Sequence, residues 1–335
     1  MEEEDGMADA FKVAFIGAGS RANAVHYPSF AELEDVRIVG ICDIDPERLA
    51  ETAERYGVPE ESRWGDTVES YRDMIRATKP DGVVCIGQPH LMYDIWVWCL
   101  EQGLNLYVEK PLGLTMHQAQ MLTALAEEHG CVTTCTLQRR TTPSVMRARQ
   151  ECLKHGPITH ALVRFYKCEI QTRYHSRDHM LDDTIHSIDA LRWACGDSEI
   201  AGVESLTRRV GVRDINFISA TLRFENGSVG YLVNSWSSGR RVFDIEMHAP
   251  GICAEMEHEV GGRVYAAGDT AGVYLDSAEC AGSDAFHVLT GVRVLARDFV
   301  DSCRAHRQSC SPFSSAMKAM EIAEMILAQA TLARR

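Results

Sequence analysis

Short apolar runs alternate with helical patterns over residues 11–130. The runs KVAFIG, VRIVGICD, DGVVCIG and LNLYVE would be apolar on both faces of a strand. The segments between them have helical spacing, and two of them end at Gly57 and Gly103, which are plausible helix C-caps. Strands buried on both faces and separated by helices are typical of a parallel sheet covered on both sides. Residues 11–130 are therefore predicted to form a doubly wound α/β domain.

The pattern changes after about residue 131. Strand-like runs such as ITHALVRFYKCEI, NFISATLRFENG and SVGYLVNSWSS follow one another with short turns. Such a series predicts a mostly antiparallel sheet, and helical patterns at about 143–155, 183–195, 285–305 and 314–331 predict helices on one face of it. We expect a second, α+β domain over residues 131–335, with its last helix a candidate to pack on the first domain. Residues 1–10 are expected to be a disordered lead-in.

Composition and charge limit the classes of protein that the chain can represent. A length of 335 residues suits two domains better than one core. A net charge of -14 offers no basic face, so nucleic acid is not an expected partner. No apolar run approaches the roughly 18 residues of a membrane span, and the acidic N-terminus lacks the apolar core of a secretory signal. Twelve cysteines without a C-x-x-C pair predict buried free thiols and a cytoplasmic location.

A glycine-rich turn, GAGSRA, lies between the first strand and a helix that we expect to begin near Arg21. Gly17 permits the tight turn, Gly19 lets the backbone approach a pyrophosphate, and Ala22 permits close packing of helix on strand. The helix N-terminus then directs free N–H groups at the phosphates. The turn predicts a dinucleotide-binding Rossmann domain, with Gly17, Gly19, Ser20, Arg21 and Ala22 at the cofactor.

An acidic residue, Asp43, ends the second predicted strand. Its carboxylate would accept hydrogen bonds from the adenosine ribose hydroxyls and repel a 2′-phosphate, which favours NAD over NADP. Arg21 and Arg48 weaken this preference, since either could meet a phosphate. Asp43 could alternatively cap the helix that starts at PERLAE, a role that Asp45 also fills.

Several motifs, taken together and in this order, resemble the Gfo/Idh/MocA oxidoreductase family of inositol and sugar dehydrogenases. They are the glycine-rich turn, Asp43, VVCIGQP with Pro89, the tripeptide Glu109-Lys110-Pro111, and DDTIHSIDALRW. The resemblance spans nearly the whole chain. It implies an NAD or NADP cofactor contacted by Pro89 and Glu109, and a second domain that binds a polyol or sugar. An exposed face of the predicted antiparallel sheet commonly pairs with a second copy, which predicts a homodimer or homotetramer.

The resemblance also implies roles for three residues. The lysine of Glu-Lys-Pro lies beside the substrate hydroxyl and the nicotinamide in the family, which corresponds to Lys110. A helical Asp-x-x-x-His corresponds to Asp182 and His186, with the histidine as acid/base. Helix geometry puts this pair on one face, and oxidation of an alcohol needs a base of near-neutral pKa. Lys110 could take the proton instead, so the identity of the base stays open.

Without the resemblance, both candidates have simpler interpretations. Lys110 would be a charged turn residue, and His186 a core histidine on the face that it shares with Ala190 and Trp193. Against the first interpretation, Lys110 follows the carboxyl end of a parallel strand, where open α/β sheets bind ligands, and Pro111 stiffens its backbone.

The sequence departs from the family at two places. After Pro89, His90 and Tyr93 stand where the family often has an asparagine and a histidine. The stretch YHSRDHMLDDTIH replaces a glycine-rich one, which predicts a narrower substrate pocket. Asp183 is an alternative partner for His186, and Lys167 is a further candidate substrate contact. A pair formed by His175 and His179 lacks a third ligand at standard spacing, so no metal site is predicted. The predicted substrate contacts are Tyr166, Arg173, Tyr174, His175 and Asp183.

Three functions are compatible with these features. The first is an NAD(P)-dependent dehydrogenase that oxidises a secondary hydroxyl of a sugar, cyclitol or sugar derivative by hydride transfer. The second is an NAD-dependent glycoside-cleaving enzyme that oxidises C3 transiently. The third is a non-catalytic dinucleotide-sensing regulator, against which the intact Lys110 and His186 argue.

Overall fold

The computed structural model describes residues 10–172 and 178–332. The predicted lead-in, residues 1–10, lies outside this range except for its last residue. The described chain folds into two units. The first contains the chain up to Thr136 together with Val292–Ser314, and the second contains Leu137–Gly291 and the chain from Ser315 onward.

The strands and helices are numbered in chain order. The strands are β1 (Phe11–Ile16), β2 (Val36–Cys42), β3 (Arg63–Trp64), β4 (Gly82–Cys85), β5 (Leu106–Val108), β6 (Thr133–Cys135), β7 (His160–Cys168), β8 (Ile200–Arg208), β9 (Phe217–Phe224), β10 (Val229–Ser235), β11 (Ser237–Ala249), β12 (Ile252–Glu257), β13 (Gly261–Ala266) and β14 (Val273–Asp276). The α-helices are α1 (Tyr27–Ala31), α2 (Pro46–Arg55), α3 (Ser70–Thr78), α4 (Pro89–Glu101), α5 (Met116–Glu128), α6 (Pro143–Leu153), α7 (Ile185–Ala194), α8 (Ser277–Ala281), α9 (Phe286–Leu289), α10 (Val292–Ala305) and α11 (Phe313–Leu332).

The first unit is built on a parallel sheet with strand order β3-β2-β1-β4-β5-β6. Strands β4 and β5 are buried along their whole length, as their apolar sequences predict. Asp45 caps α2 by accepting from the amides of Glu47 and Arg48, and Thr115 caps α5 in the same way. The predicted doubly wound Rossmann sheet is confirmed.

The helix after the glycine-rich turn is not a regular α-helix. Residues Ala22–His26 form a π-helical turn, which leads into the short helix α1. A second π-helical turn, Met180–Thr184, precedes α7, where the sequence predicts a single helix over 183–195. Single π turns inside helices occur frequently at functional sites, and both of these lie beside predicted site residues.

The first unit gains its last helix from the end of the chain. Phe299 of α10 packs edge-on against the rings of Phe11, Phe30 and Tyr107. The sequence predicts a continuous second domain over residues 131–335, whereas the observed division assigns α10 to the first unit. The reason is that the apolar face of α10 completes the core of the first unit. The predicted helix at 285–305 is broken at Gly291, where φ is +83° and a Cβ would lie 2.5 Å from the carbonyl group of Thr141.

The second unit contains an eight-stranded sheet with the order β14-β13-β12-β11-β7-β10-β9-β8. Every strand pair is antiparallel except β7 with β10. Helix α7 packs on β7 and β10, α6 packs on β11 and β12, and Gln329 of α11 bonds to Ser205 of β8. The predicted, mostly antiparallel sheet with helices on one face is confirmed.

Two composition-based predictions can be compared with the structure. All twelve cysteines are free thiols, and eight of them, Cys42, Cys85, Cys99, Cys131, Cys135, Cys152, Cys195 and Cys303, are buried. Within residues 10–172 and 178–332, no helix has the length and apolar character that crossing a membrane requires.

Candidate cofactor and substrate sites

The predicted cofactor residues lie at one edge of the first unit's sheet. Gly17 follows β1, Asp43 follows β2, Pro89 follows β4, and Glu109 follows β5. Because the four strands are parallel, all four residues lie at the carboxyl edge. The strand order reverses between β1 and β4, and ligands of open α/β sheets bind at such a switch point. Pro89 is buried at the first position of α4.

The two glycines of the turn serve different purposes. Gly17 has φ of +105°, and a Cβ there would lie 2.0 Å from the carbonyl oxygen of Ile86. Its amide donates to the carbonyl of Cys42 at 2.7 Å. A Cβ on Gly19, in contrast, would meet nothing within 4 Å. The fold itself requires Gly17, whereas Gly19 leaves open backbone of the kind that a pyrophosphate approaches.

Asp43 is tied to the turn rather than to a helix. Its Oδ2 accepts from the amide of Ala18 at 2.6 Å, and its Oδ1 accepts from the amide of Asp45 at 2.9 Å. Asp45 is the N-cap of α2, so the alternative capping role of Asp43 is excluded. Each carboxylate oxygen can accept a further bond, which is compatible with the predicted ribose contact.

Exposed apolar side chains follow three strands at the same edge of the sheet. Ile44, Val68 and Leu91 follow β2, β3 and β4, and they are 66%, 72% and 60% exposed. Exposed apolar side chains at a ligand-binding edge suit the flat faces of an adenine ring. Arg48, which could have met a 2′-phosphate, pairs with Asp45 at 3.1 Å.

Lys110 follows a buried carboxylate. Glu109 is 6% exposed, and its Oε1 accepts from Arg21 Nε at 3.1 Å and lies 2.8 Å from His26 Nε2. Its Oε2 accepts from the amide of Lys110 at 3.1 Å. Burial disfavours ionisation of Glu109, but the Arg21 guanidinium, His26 and Lys110 outweigh burial and hold its pKa well below the usual range. The carboxylate is thus a buried anion that fixes the start of the Lys110 loop.

In the second unit, His186 is buried on α7, which polar contacts to Arg140 and Asn234 help to hold in place. Arg140 makes a bidentate ion pair with Asp189, three residues beyond His186. Ser187 and Asn234 of β10 exchange hydrogen bonds of 3.2 and 3.0 Å. These contacts fix the direction in which α7 presents its side chains.

A second group of polar residues lies beside α7, and we call it the Asp183 cluster. Asp183 Oδ2 accepts from Lys167 Nζ and from Trp236 Nε1, both at 2.8 Å. Lys167 Nζ also lies 3.5 Å from Glu169 Oε1, and the His179 ring stacks on Trp236 with centroids 4.2 Å apart. The members of the Asp183 cluster are Lys167, Glu169, His179, Asp183 and Trp236.

Part of the Asp183 cluster has ligand types that suit a metal ion. One atom each of Glu169, His179 and Asp183 lies within 4.8 Å of the others. The Lys167 ammonium, however, already lies between the two carboxylates at 2.8 and 3.5 Å. A cation would have to displace this lysine, so we interpret the group as an internal ion pair.

The structure brings together only some of the predicted substrate residues. Asp183 and Lys167 are in contact, whereas Tyr166 is adjacent to Lys167 on a strand and points to the other face of the sheet, near Arg164 and Asp244. Asp182 is partly exposed in the π turn before α7. The predicted contacts Arg173, Tyr174 and His175 lie outside the described residues.

Sequence reasoning missed His26, Arg140 and Trp236. The sequence gives a weak signal for His26, since a helix that begins near Arg21 and packs on a sheet would bury one position in this segment. Arg140 and Trp236 could not be found, because their partners lie 49 and 53 residues away in the chain.

The fold and the turn define a class, the proteins that bind a nicotinamide dinucleotide on a Rossmann unit. A family model described as an oxidoreductase family with an NAD-binding Rossmann fold matches residues 11–137. Residues 11–137 are thus similar to the Gfo/Idh/MocA family, the family that the motifs of the sequence resemble. The prediction of NAD as the cofactor is confirmed.

Individual relatives are more distant. A glycosyl hydrolase family 109 protein from Shewanella pealeana is 30% identical over 129 residues, which are 36% of this chain and 26% of that protein. The chain thus spans about a quarter of that relative's length. D-glucoside 3-dehydrogenase from Escherichia coli is 23% identical over 252 residues, covering 68% and 70% of the two chains. The crystal structure of a dehydrogenase from Chromobacterium violaceum has a TM-score of 0.85 and 21% identity, and covers 97% of each chain.

Proposed function

We propose that the protein is an NAD-dependent dehydrogenase that oxidises a secondary hydroxyl of a sugar, cyclitol or sugar derivative. The observation that carries the proposal is the placement of Lys110. This lysine follows β5 at the carboxyl edge of an NAD-binding sheet, with its amide bonded to Glu109 Oε2 and Thr136 Oγ1. The similarity to D-glucoside 3-dehydrogenase supports a sugar substrate.

The proposed chemistry divides between two groups. Bound NAD supplies the hydride acceptor. The Lys110 ammonium donates a hydrogen bond to the reacting oxygen and stabilises negative charge there, and His186 removes the hydroxyl proton as general base. The Asp182 carboxylate orients the His186 ring and favours one of its tautomers. The pH dependence of kcat in the Lys110 and His186 single variants distinguishes this assignment from the opposite one, in which Lys110 is the base. Lys167 and Glu169, the partly exposed members of the Asp183 cluster, supply hydrogen-bonding groups for other substrate hydroxyls.

The test uses NADH formation at 340 nm across a panel of inositols, hexoses and methyl glycosides. We expect turnover with at least one compound. Lys110→Ala and His186→Ala should each lower kcat by roughly 10²–10⁴-fold. Lys154→Ala, which removes an exposed lysine directly after α6, is the matched control and should leave kcat unchanged. Turnover within a few-fold of wild type in both site variants would contradict the roles.

A second candidate function is cleavage of a glycoside with tightly bound NAD. The match to the family 109 protein over 129 residues favours it. Such a reaction releases nitrophenol from a nitrophenyl glycoside without net absorbance at 340 nm. If the protein binds NAD but acts on neither class of substrate, the regulatory interpretation gains support.

We also propose that the protein is a homodimer or homotetramer, joined through the sheet face opposite the helices. Tyr231 and Leu206 project from that face and are 41% and 57% exposed. Register places Tyr231 opposite Thr221 and Leu162, so a mixed apolar and polar surface crosses several strands. Light scattering should give a multimer for wild type and a smaller species for Tyr231→Glu. A wild-type monomer would contradict the proposal.

A further inference from the structure

His26 is a fully buried histidine in the first unit, at 0% exposure. It ends the π turn after the glycine-rich turn, and its ring packs edge-on against Tyr107 with centroids 5.5 Å apart. Burial lowers the pKa of His26, although its contacts with Glu109 oppose this effect. The imidazole is therefore neutral at neutral pH. Because an ionised carboxylate only accepts hydrogen bonds, the proton facing Glu109 is on Nε2.

The Glu109 carboxylate has little freedom to turn. Its Oε1 accepts from His26 and Arg21, and its Oε2 accepts from the amide of Lys110. The His26 side chain is 0% exposed, whereas that of Arg21 is 42% exposed. His26, packed on all sides, is the more rigid of the two side-chain donors, and it sets the plane of the carboxylate.

The orientation of this carboxylate determines the backbone of Lys110. The amide of Lys110 lies 3.1 Å from Glu109 Oε2 and 3.2 Å from Thr136 Oγ1. If Glu109 rotates, the amide loses its bond to Oε2 and keeps its bond to Thr136, and the backbone that carries the Lys110 side chain shifts. A displacement of about 1 Å at a reacting group can cost on the order of 10²-fold in rate.

We propose that His26 is a positioning residue, which holds the Lys110 backbone through Glu109 and so aligns the ammonium with the reacting hydroxyl. The inference rests on the dehydrogenase function proposed above. His26 does not touch the substrate in this scheme. Its removal should lower kcat while the affinity for NAD changes little.

The kinetic test compares three variants of the full chain. His26→Leu keeps an apolar side chain and removes the donor, His26→Gln keeps an N–H at the position of Nε2, and Tyr107→Phe is the packing control. We expect kcat to fall about tenfold in His26→Leu, to recover to within about threefold in His26→Gln, and to match wild type in Tyr107→Phe. The Kd for NAD, from calorimetry, should change less than about threefold in all three.

Two kinetic outcomes overturn the proposal. The first is an unchanged kcat in His26→Leu, and the second is a kcat in His26→Gln as low as in His26→Leu. A crystal structure of His26→Leu gives a readout that does not need turnover. Loss of the bond between Glu109 and the Lys110 amide supports positioning, and its retention overturns it. If wild type oxidises no compound of the panel, the dehydrogenase function fails, and the crystal structure alone decides the contact.

Discussion

Replacing Arg140 with methionine removes the cation that lies against Asp189 in the second unit. The side chains of the pair are 3% and 0% exposed. Arg140 Nε donates to Asp189 Oδ2 at 2.9 Å, and Nη2 donates to Oδ1. Without the guanidinium, Asp189 is left as a buried charge lacking its bidentate partner. Breaking a buried pair in this way typically costs about 3–5 kcal/mol of unfolding free energy.

The reverse change should cost less. Asp189→Asn leaves Arg140 its contacts with Asp197 at 3.3 Å and with Ser315 Oγ at 3.2 Å. The guanidinium keeps acceptors, so we expect a loss of about 1–3 kcal/mol. The double variant Arg140→Met with Asp189→Leu replaces the pair with apolar groups. Its stability should lie closer to wild type than that of Arg140→Met alone.

Hydrogen exchange of the α7 amides measures the loss of stability locally, in the helix that contains Asp189. A local measurement is needed because a chain of two units need not unfold in one step. Because α7 also carries His186, Arg140→Met should lower both turnover and the protection of the α7 amides against hydrogen exchange. Equal losses of unfolding free energy in Arg140→Met and Asp189→Asn, or a double variant no more stable than Arg140→Met alone, would refute the reasoning. Arg164→Met removes an ion pair with Asp244 whose arginine is 42% exposed, and this matched control should cost at most about 1 kcal/mol.

Three further predictions concern the first unit. Gly19→Ala should keep the free energy of unfolding within about 0.5 kcal/mol of wild type but weaken NAD binding about tenfold, as measured by calorimetry. Gly17→Ala should instead lower the free energy of unfolding by more than about 2 kcal/mol. A normal NAD affinity in Gly19→Ala would contradict the first expectation. Asp43→Asn should lower the affinity for NAD about tenfold in fluorescence titration and reduce the preference for NAD over NADP. An unchanged ratio of the two affinities would contradict the ribose contact. The hydrogen bond from Arg297 lowers the pKa of Asp35 to about 2, so this aspartate stabilises the fold above its unfolded pKa and loses that contribution as pH falls toward 2. In urea titrations Asp35→Asn should therefore cost at most about 1 kcal/mol at pH 7, less in high salt, with the difference shrinking below about pH 4.

The sequence by itself determined the sheet of the first unit and its cofactor edge. Residues around Gly17, Asp43 and Lys110 are read from local patterns, because an apolar strand, a tight turn and a helix each leave a signal within about ten residues. Parallel strands then bring their carboxyl ends to one edge without further information. The mostly antiparallel second sheet is also local in origin, since its strands alternate and are joined by short turns.

Local patterns were less informative where partners are far apart in the chain. Nothing near Val292 shows that α10 belongs to the first unit, since its apolar face fits any core of suitable shape. The π turns are equally hidden, because each spans only five residues, which are too few for a changed apolar spacing to be recognised in the sequence.

Only the tertiary structure decided which polar groups form hydrogen bonds with each other. Glu109 looks like an ordinary partner of Lys110 in sequence, yet His26, 83 residues earlier, bonds to its carboxylate in the interior. Asp183, an alternative partner of His186 in the sequence, accepts hydrogen bonds from Lys167 and Trp236 in the structure. The physical reason is that a buried charge must find donors, and the fold, not the neighbouring sequence, supplies them.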